Sequence, residues 1–225
     1  MAFPVSNLNR PSEERTVAER KLRRTYRRQI GVALVILVAG GGACTLGISA
    51  YLARLHALAS ALITSVYEIR TKADADREIA AWRKRFGKDF WAESDHPGGD
   101  HNYDAQIVNL TLARLHVVQP TGVTVGITMR DGQLWAVAVI ESTGWYPVAS
   151  VWVQEWFDEK IPKRIRVRGH GRYGAWVEFP ASLPEEQRKK AFAFNTKCLV
   201  SPRICKTQEE ILPGISQLES ATTPD

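Results

Sequence analysis

The stretch that decides the fold is IGVALVILVAGGGACTLGISAYLA, residues 30–53, which contains no charged side chain. A helix needs about 20 apolar residues to cross roughly 30 Å of hydrocarbon, so this run is long enough to span a bilayer. The chain therefore divides into a leader, one predicted transmembrane helix and a folded domain.

The charge of the chain is concentrated before this run. Residues 1–29 hold eight basic and three acidic side chains, a net charge of +5, whereas residues 54–225 hold 22 basic and 21 acidic ones, a net charge of +1. Basic residues beside a span mark the cytoplasmic side and are attracted to anionic lipid head groups. We therefore predict a cell-membrane protein with a cytoplasmic tail (1–29), one transmembrane helix (30–53) and a periplasmic or otherwise extracytoplasmic domain. The overall charge gives no reason to expect a nucleic-acid partner.

A cleaved signal peptide is the alternative explanation of the apolar run. Residues 30–38 would then form its apolar core, and Gly41-Gly42-Ala43 would be the cleavage site. The run continues ten residues beyond Ala43, and its basic leader is long for a signal peptide, which favours an uncleaved anchor. Both interpretations export the domain.

Two cysteines agree with export. Cys198 and Cys205 are separated by six residues, and such a close pair forms a disulfide in an oxidising compartment. Two free thiols are the alternative. Without further cysteine or histidine ligands nearby, the pair is too small for a structural zinc site.

The helical pattern continues beyond the span and offers surfaces for a homodimer. Span and amphipathic extension together predict one helix of roughly forty residues. Leu58, Leu62 and Val66 lie on one face of the extension, which either packs on the domain's own sheet or forms a short dimer seam. Within the span, a stripe of small residues has the spacing of close helix packing in membranes: Ala39, Ala43 and Gly47.

The domain begins with a second helix and then changes to the period-two pattern of strands. Thr71 and Asp74 have the spacing of a capping box, and the helix that they begin ends at Gly87. Residues 94–103 are rich in Gly, Asp and His and predict a loop. Asp131-Gly132 between two β-rich runs predicts a hairpin. The predicted strands are residues 106–110, 122–128, 134–140, 150–157, 163–168 and 175–179.

The fold class predicted from these elements is α+β. Short turns between consecutive strands predict an antiparallel sheet of about five or six strands. A C-terminal helix follows, beginning near Ser182 and ending near Asn195. The predicted organisation is juxtamembrane helices (54–87), an exported domain (88–195) and a polar C-terminal segment with the cysteine pair and a disordered end (196–225).

No catalytic signature accompanies this fold. Residues 169–174 match the glycine fingerprint of dinucleotide sites, but the following residues read as a strand, whereas that motif needs a helix. Aspartates and histidines in the predicted loop match no known metal-site spacing: Asp95, His96, Asp100, His101 and Asp104. We predict no catalytic residue, no metal, no cofactor and no enzymatic activity.

A basic strand and several tryptophans are the remaining candidates for a binding site. Arg164, Arg166 and Arg168 alternate along one strand and would present one face to an anion. The alternative is a solvated face paired with cross-strand carboxylates such as Glu155 and Glu178. Three tryptophans lie on the predicted strands before and after the basic one: Trp152, Trp156 and Trp176. They would stack on a glycan ring or, as the stronger interpretation, pack in the core.

At the level of architecture only, the chain resembles two kinds of envelope component. One is the inner-membrane assembly factor of type IV secretion, with a cytoplasmic tail, one span and an α+β domain; the other is the pilin, although its processing site is missing here. The leading hypothesis is a non-enzymatic single-pass protein whose exported domain is a protein-interaction or envelope-assembly module. The alternative is an anion- or glycan-binding envelope domain.

Overall fold

The computed structural model describes residues 11–86, 91–96, 100–115, 120–144, 149–158, 164–170, 174–201 and 205–220. Its helices are α1 (Pro11–Glu68), α2 (Lys72–Phe86), α3 (Leu110–Arg114), α4 (Glu185–Ala191), α5 (Gln208–Ile211) and α6 (Ile215–Ser220), with a 3-10 helix at Thr196–Leu199. Its strands are β1 (Trp91–His96), β2 (Asp100–Val108), β3 (Thr121–Arg130), β4 (Gln133–Thr143), β5 (Ala149–Trp156), β6 (Arg166–His170) and β7 (Gly174–Pro180). The chain divides between Tyr51 and Leu52 into two compact units.

The described part of the first unit is the N-terminal part of α1. The uncharged run is helical throughout, and the segment Gln29–Glu68 is long and apolar enough to cross a membrane. Its apolar side chains are exposed, for example Leu37 at 75% and Leu46 at 74%. A helix that is hydrophobic all round needs an apolar environment, so this exposure suits a membrane anchor.

The second unit begins with the last turns of α1, whose apolar face is buried. Leu62 is 1% exposed and Val66 is 0% exposed. Helix α2 follows after the predicted capping box: the Thr71 amide donates to an Asp74 carboxylate oxygen at 3.0 Å, and the Asp74 amide donates to Thr71 Oγ1 at 3.2 Å. These reciprocal bonds satisfy amides that the first turn of a helix leaves without partners.

The described strands form one sheet of seven, in the order β1-β2-β3-β4-β5-β7-β6. All neighbours are antiparallel except β5 and β7, which are parallel. The α+β class is confirmed, and the predicted meander is corrected at one point. Strands β6 and β7 pair as a hairpin, but β7 rather than β6 lies beside β5, so the chain crosses over before the last pair.

The local sequence predicts the turn at Asp131-Gly132 well and the region of residues 94–103 poorly. Asp131 and Gly132 have φ values of 50° and 71°, which is the left-handed conformation that the predicted hairpin requires. The predicted loop at residues 94–103 is wrong for residues 94–96 and 100–103, because β1 and β2 pair there up to His96 and Asp100. Residues 97–99 lie outside the described residues. Ladder hydrogen bonds use backbone groups, so a polar edge strand carries no hydrophobic signal.

The C-terminal segment is folded as far as the structure describes it. Helix α4 is shorter than predicted, and apolar side chains that follow it are buried: Leu199, Ile211, Leu212, Ile215 and Leu218. The predicted disulfide joins Cys198 to Cys205. The Thr143 hydroxyl, at the end of β4, donates to the Cys205 carbonyl oxygen at 2.9 Å. Residues 205–220 are therefore folded, while residues 221–225, at the predicted disordered end, lie outside the described residues.

Candidate functional site

The candidate site lies on the face of the sheet opposite the core. Successive side chains of a strand point to opposite faces. On β5, Val151 and Val153 are fully buried, whereas Trp152 between them is 38% exposed. We call the face with Val151 the core face and the face with Trp152 the outer face.

Five outer-face residues on three adjacent strands form what we call the Trp152 surface: Trp152, Trp176, Glu178, Arg166 and Arg168. Register places Trp152 beside Trp176 and Trp176 beside Arg168. The two indole rings stack with their centroids 4.8 Å apart and an interplanar angle of 15°. The neighbouring row places Glu178 beside Arg166. Trp152 is therefore supported on one side by a second ring, and two arginines follow on the edge strand.

The charges of the Trp152 surface are layered. The Glu178 residue is only 8% exposed, whereas the Arg168 side chain is 59% exposed. A guanidinium nitrogen of Arg168 lies 3.5 Å from a carboxylate oxygen of Glu178. Arg166 is also exposed. The carboxylate is thus covered, and the groups that meet the solvent are an aromatic ring and two guanidiniums.

The predicted tryptophan platform is divided between two clusters. Trp156 is 9% exposed and packs edge-on against Trp135, with ring centroids 4.8 Å apart. Arg130 lies 3.3 Å from the centre of the Trp135 ring and donates two hydrogen bonds to Asp100, at 2.6 and 2.7 Å. In this second cluster the cation and the carboxylate pair with each other. Among the described aromatic residues of the outer face, the exposed one is Trp152.

The predicted anion-binding arginines are only partly brought together. Arg166 and Arg168 lie in β6, while Arg164 precedes that strand. Of the two predicted cross-strand carboxylates, Glu178 does face the arginines. Glu155 does not, because it points to the core face and pairs with Arg188.

In the described part of the chain, the candidate metal ligands and the glycine fingerprint do not form a binding site. No group of three or more His, Cys, Asp or Glu side chains among the described residues is placed to hold a metal ion. Asp100, one of the candidate ligands, is engaged by Arg130. The glycine fingerprint is followed by strand β7, which lacks the helix N-terminus that a pyrophosphate needs.

A pocket of about 390 Å³ opens beside β5, α5 and α6, with Ala149 and Lys206 in its wall. Its one carboxylate, on Glu209, accepts hydrogen bonds from the amides of Gly214 and Ser216 at 2.7 and 3.3 Å. That carboxylate fixes the local backbone, and the pocket offers no pair of groups to which acid–base roles can be assigned.

A buried ion pair on the core face joins three elements. The Arg188 side chain of α4 is fully buried and donates to both carboxylate oxygens of Glu155 at 2.6 Å. It also donates to the carbonyl oxygens of Tyr67 and Ile69, at the end of α1. Burial raises the pKa of the Glu155 carboxyl, and the charges of Arg188 and Arg70 oppose that rise. Arg188 thus ties α1, α4 and β5 together.

Glu141 is a second buried acid, and it has no such partner. It lies on the core face of β4 between Val123 and Val151 and is 0% exposed. Neither carboxylate oxygen has a hydrogen-bond partner among the described residues. Burial raises the pKa of the Glu141 carboxyl to about 8, so the group is protonated at neutral pH. The sequence marks this residue only as the one charged side chain of β4.

The predicted helix-packing residues occupy two different environments. Ala39, Ala43 and Gly47 are exposed, and a Cβ added to Gly47 would meet no atom within 4 Å. Leu62 and Val66 are buried in the second unit, with Leu58 half-buried beside them. The face with Leu58, Leu62 and Val66 is consequently not open to form a dimer seam.

Comparison with protein-family models, with curated proteins and with solved structures finds no match to this chain.

Proposed function

We propose that this chain is a single-pass membrane protein, not an enzyme, whose exported domain binds a partner protein through the Trp152 surface. The observation that carries the proposal is an exposed tryptophan that is stacked on a second ring, with two exposed arginines on the edge strand beyond that ring. Tryptophan and arginine are the residues most enriched among those that dominate the energy of protein interfaces.

The physical reason is that Trp152 is already held in one orientation. A ring stacked on Trp176 loses little conformational freedom when a partner covers it. Covering the exposed part of such a large apolar side chain contributes on the order of 1–2 kcal/mol from burial alone. Arg166 and Arg168, on the edge strand of the same face, supply directional hydrogen bonds at the rim of the interface. Their planar guanidiniums recognise carboxylates and carbonyl groups.

Anchoring and export are supported by three independent features. The apolar helix is long enough to span a bilayer, its basic leader favours a cytoplasmic N-terminus, and the Cys198–Cys205 disulfide is typical of an oxidising compartment. We therefore place the domain in the periplasm or another extracytoplasmic space. The binding surface would then face components of the envelope or of the exterior.

The second candidate function is anion or glycan binding on the same face. It would use Arg166, Arg168 and Trp152. We rank it second because Trp156 is buried and Arg168 already faces Glu178. Among the described residues of the outer face, Trp152 is then the one ring in the exposed class, which is less than a platform for successive sugar rings.

Replacing Trp152 with alanine is expected to weaken the complex with the partner by about 2 kcal/mol or more, roughly 30-fold in dissociation constant. The alanine removes the part of the surface that the partner covers and leaves the core face unchanged. The measurement is the size of the full-length chain's complex, extracted from native membranes in mild detergent and separated by native electrophoresis.

Gln106→Ala is the matched control, because Gln106 is also exposed on the outer face but lies on β2, three strands from β5. It should leave the complex intact. Trp152→Phe keeps a ring and should restore part of the binding. A large complex that persists in Trp152→Ala, with an unchanged melting temperature, would contradict the proposed role of this surface.

A further inference from the structure

Among the described residues of the sheet, the charges exposed on the outer face around Trp152 are all positive. The outer-face positions nearest to it on β4 and β5 are uncharged: Ala138, Ile140, Ser142, Ser150 and Gln154. On β7 and β6 the charged side chains are Glu178, Arg166 and Arg168. Since Glu178 is covered and both arginines are exposed, the surface presents positive charge to its surroundings.

Among the described outer-face residues of β6 and β7, a single carboxylate lies near the two guanidiniums. Glu178 lies 3.5 Å from Arg168 and is the register neighbour of Arg166. Within the part of the chain that the structure describes, Arg166 makes no ion pair. One positive charge therefore stays uncompensated at the edge of the sheet, about two strand spacings, or roughly 10 Å, from Trp152.

From this we infer that the segment of the partner protein bound at the Trp152 surface is acidic. The inference rests on the proposed function and adds the chemistry of the partner to it. A carboxylate of the partner would bind Arg166, and a second would share Arg168 with Glu178, while an apolar side chain of the same segment covers the Trp152 ring two strands away. Such complementary charges set the partner's orientation and raise the association rate.

The test reverses the two charges and keeps the ring. In the full-length chain, the double substitution Arg166→Glu with Arg168→Glu is expected to weaken the native complex by at least about tenfold, since like charges then face each other across the interface. Lys189→Glu with Lys190→Glu makes the same charge change on the exposed face of α4 and should leave the complex unchanged.

The salt dependence of the complex, measured in wild type and in a charge-neutralised variant, gives a second readout. It remains valid even if the charge-reversed variant does not fold. Raising NaCl from about 0.05 to about 0.5 M should increase the dissociation constant of the wild-type complex several-fold, because exposed charge pairs are screened at that ionic strength. Arg166→Gln with Arg168→Gln, which introduces no repulsion with Glu178, should remove most of this salt dependence while the melting temperature stays unchanged.

The outcomes separate the inference from the proposed function. If Trp152→Ala leaves the complex intact, the proposed function fails. If Trp152→Ala dissociates it but the arginine variants and salt do not, only the acidic partner is overturned. A bound species removed by polysaccharide digestion or by lipid exchange, and not by protease, would also overturn it.

Discussion

Replacing Arg188 with methionine is expected to lower the free energy of unfolding by about 3–5 kcal/mol, the usual cost of removing one partner of a buried ion pair. Methionine fills a similar volume, but it leaves the fully buried Glu155 carboxylate with only the half-exposed Arg70 guanidinium, 3.6 Å away, as a counter-charge. It also removes the donors for two carbonyl oxygens at the end of α1. Urea denaturation of the full-length chain in mild detergent, followed by tryptophan fluorescence, gives the value.

Two variants separate the buried pair from a general effect of charge. Lys189→Met removes the exposed neighbouring cation and should change stability by no more than about 0.5 kcal/mol. Adding Glu155→Leu to Arg188→Met should recover part of the loss, because no charge then remains buried without a partner. A loss below about 1 kcal/mol for Arg188→Met alone would mean that the pair does not hold these elements together.

Glu141→Gln is expected to stabilise the protein at neutral pH and to change how its stability depends on pH. The pKa of the buried carboxyl is raised from 4.5 to about 8. Between these values the unfolded chain releases the proton while the folded chain keeps it, so wild-type stability falls as pH rises. The loss from pH 4.5 to about pH 7 is roughly 3 kcal/mol, at 1.36 kcal/mol per pKa unit.

Glutamine stays neutral in both states, so the variant should lack this part of the pH dependence. Wild type and variant should be similarly stable below about pH 4.5 and should diverge up to about pH 8, above which the difference is constant. Glu186→Gln, at an exposed position of α4, is the matched control. Parallel curves for Glu141→Gln and wild type from pH 4 to 9 would show that the Glu141 carboxyl does not titrate as described.

Features with a local cause are predictable from this sequence. The capping box needs only Thr71 and Asp74, the hairpin needs Asp131-Gly132, and the disulfide joins two cysteines that are close in sequence. Each is decided by neighbours within a few residues, where the backbone geometry is known in advance. The long apolar helix belongs to the same group, since its length alone sets what it can span.

Features that depend on packing between distant segments are not predictable in this way. Arg188 is an ordinary member of a basic helix in the sequence, and Glu155, 33 positions away, is one of two plausible partners for the arginine strand. The acids are sorted by the face on which they lie: Glu155 meets Arg188 on the core face, and Glu178 lies beside Arg166 on the outer face. Asn109 is similar: its buried side chain accepts from the Thr121 amide at 2.9 Å and donates to the Leu199 carbonyl at 2.8 Å.

The candidate site falls between these cases. Strand alternation assigns Trp152, Trp156, Arg166 and Arg168 to faces, but it does not say what covers each one. Trp156 is covered by Trp135, a residue at a register shift of the β3–β4 hairpin. A bulge of this kind re-aims a side chain without a clear sequence signal, and so the division between a buried and an exposed tryptophan emerges only from the structure.

The most direct measurement is site-specific photo-crosslinking from position 152 of the full-length chain in the membranes of the cells that make it. With benzoylphenylalanine at 152, irradiation should give an adduct to one exported or membrane protein, identified by mass spectrometry. The same group at Lys189, exposed on α4, should not give that adduct. No adduct from position 152, or the same adduct in equal yield from position 189, would contradict a partner-binding surface centred on Trp152.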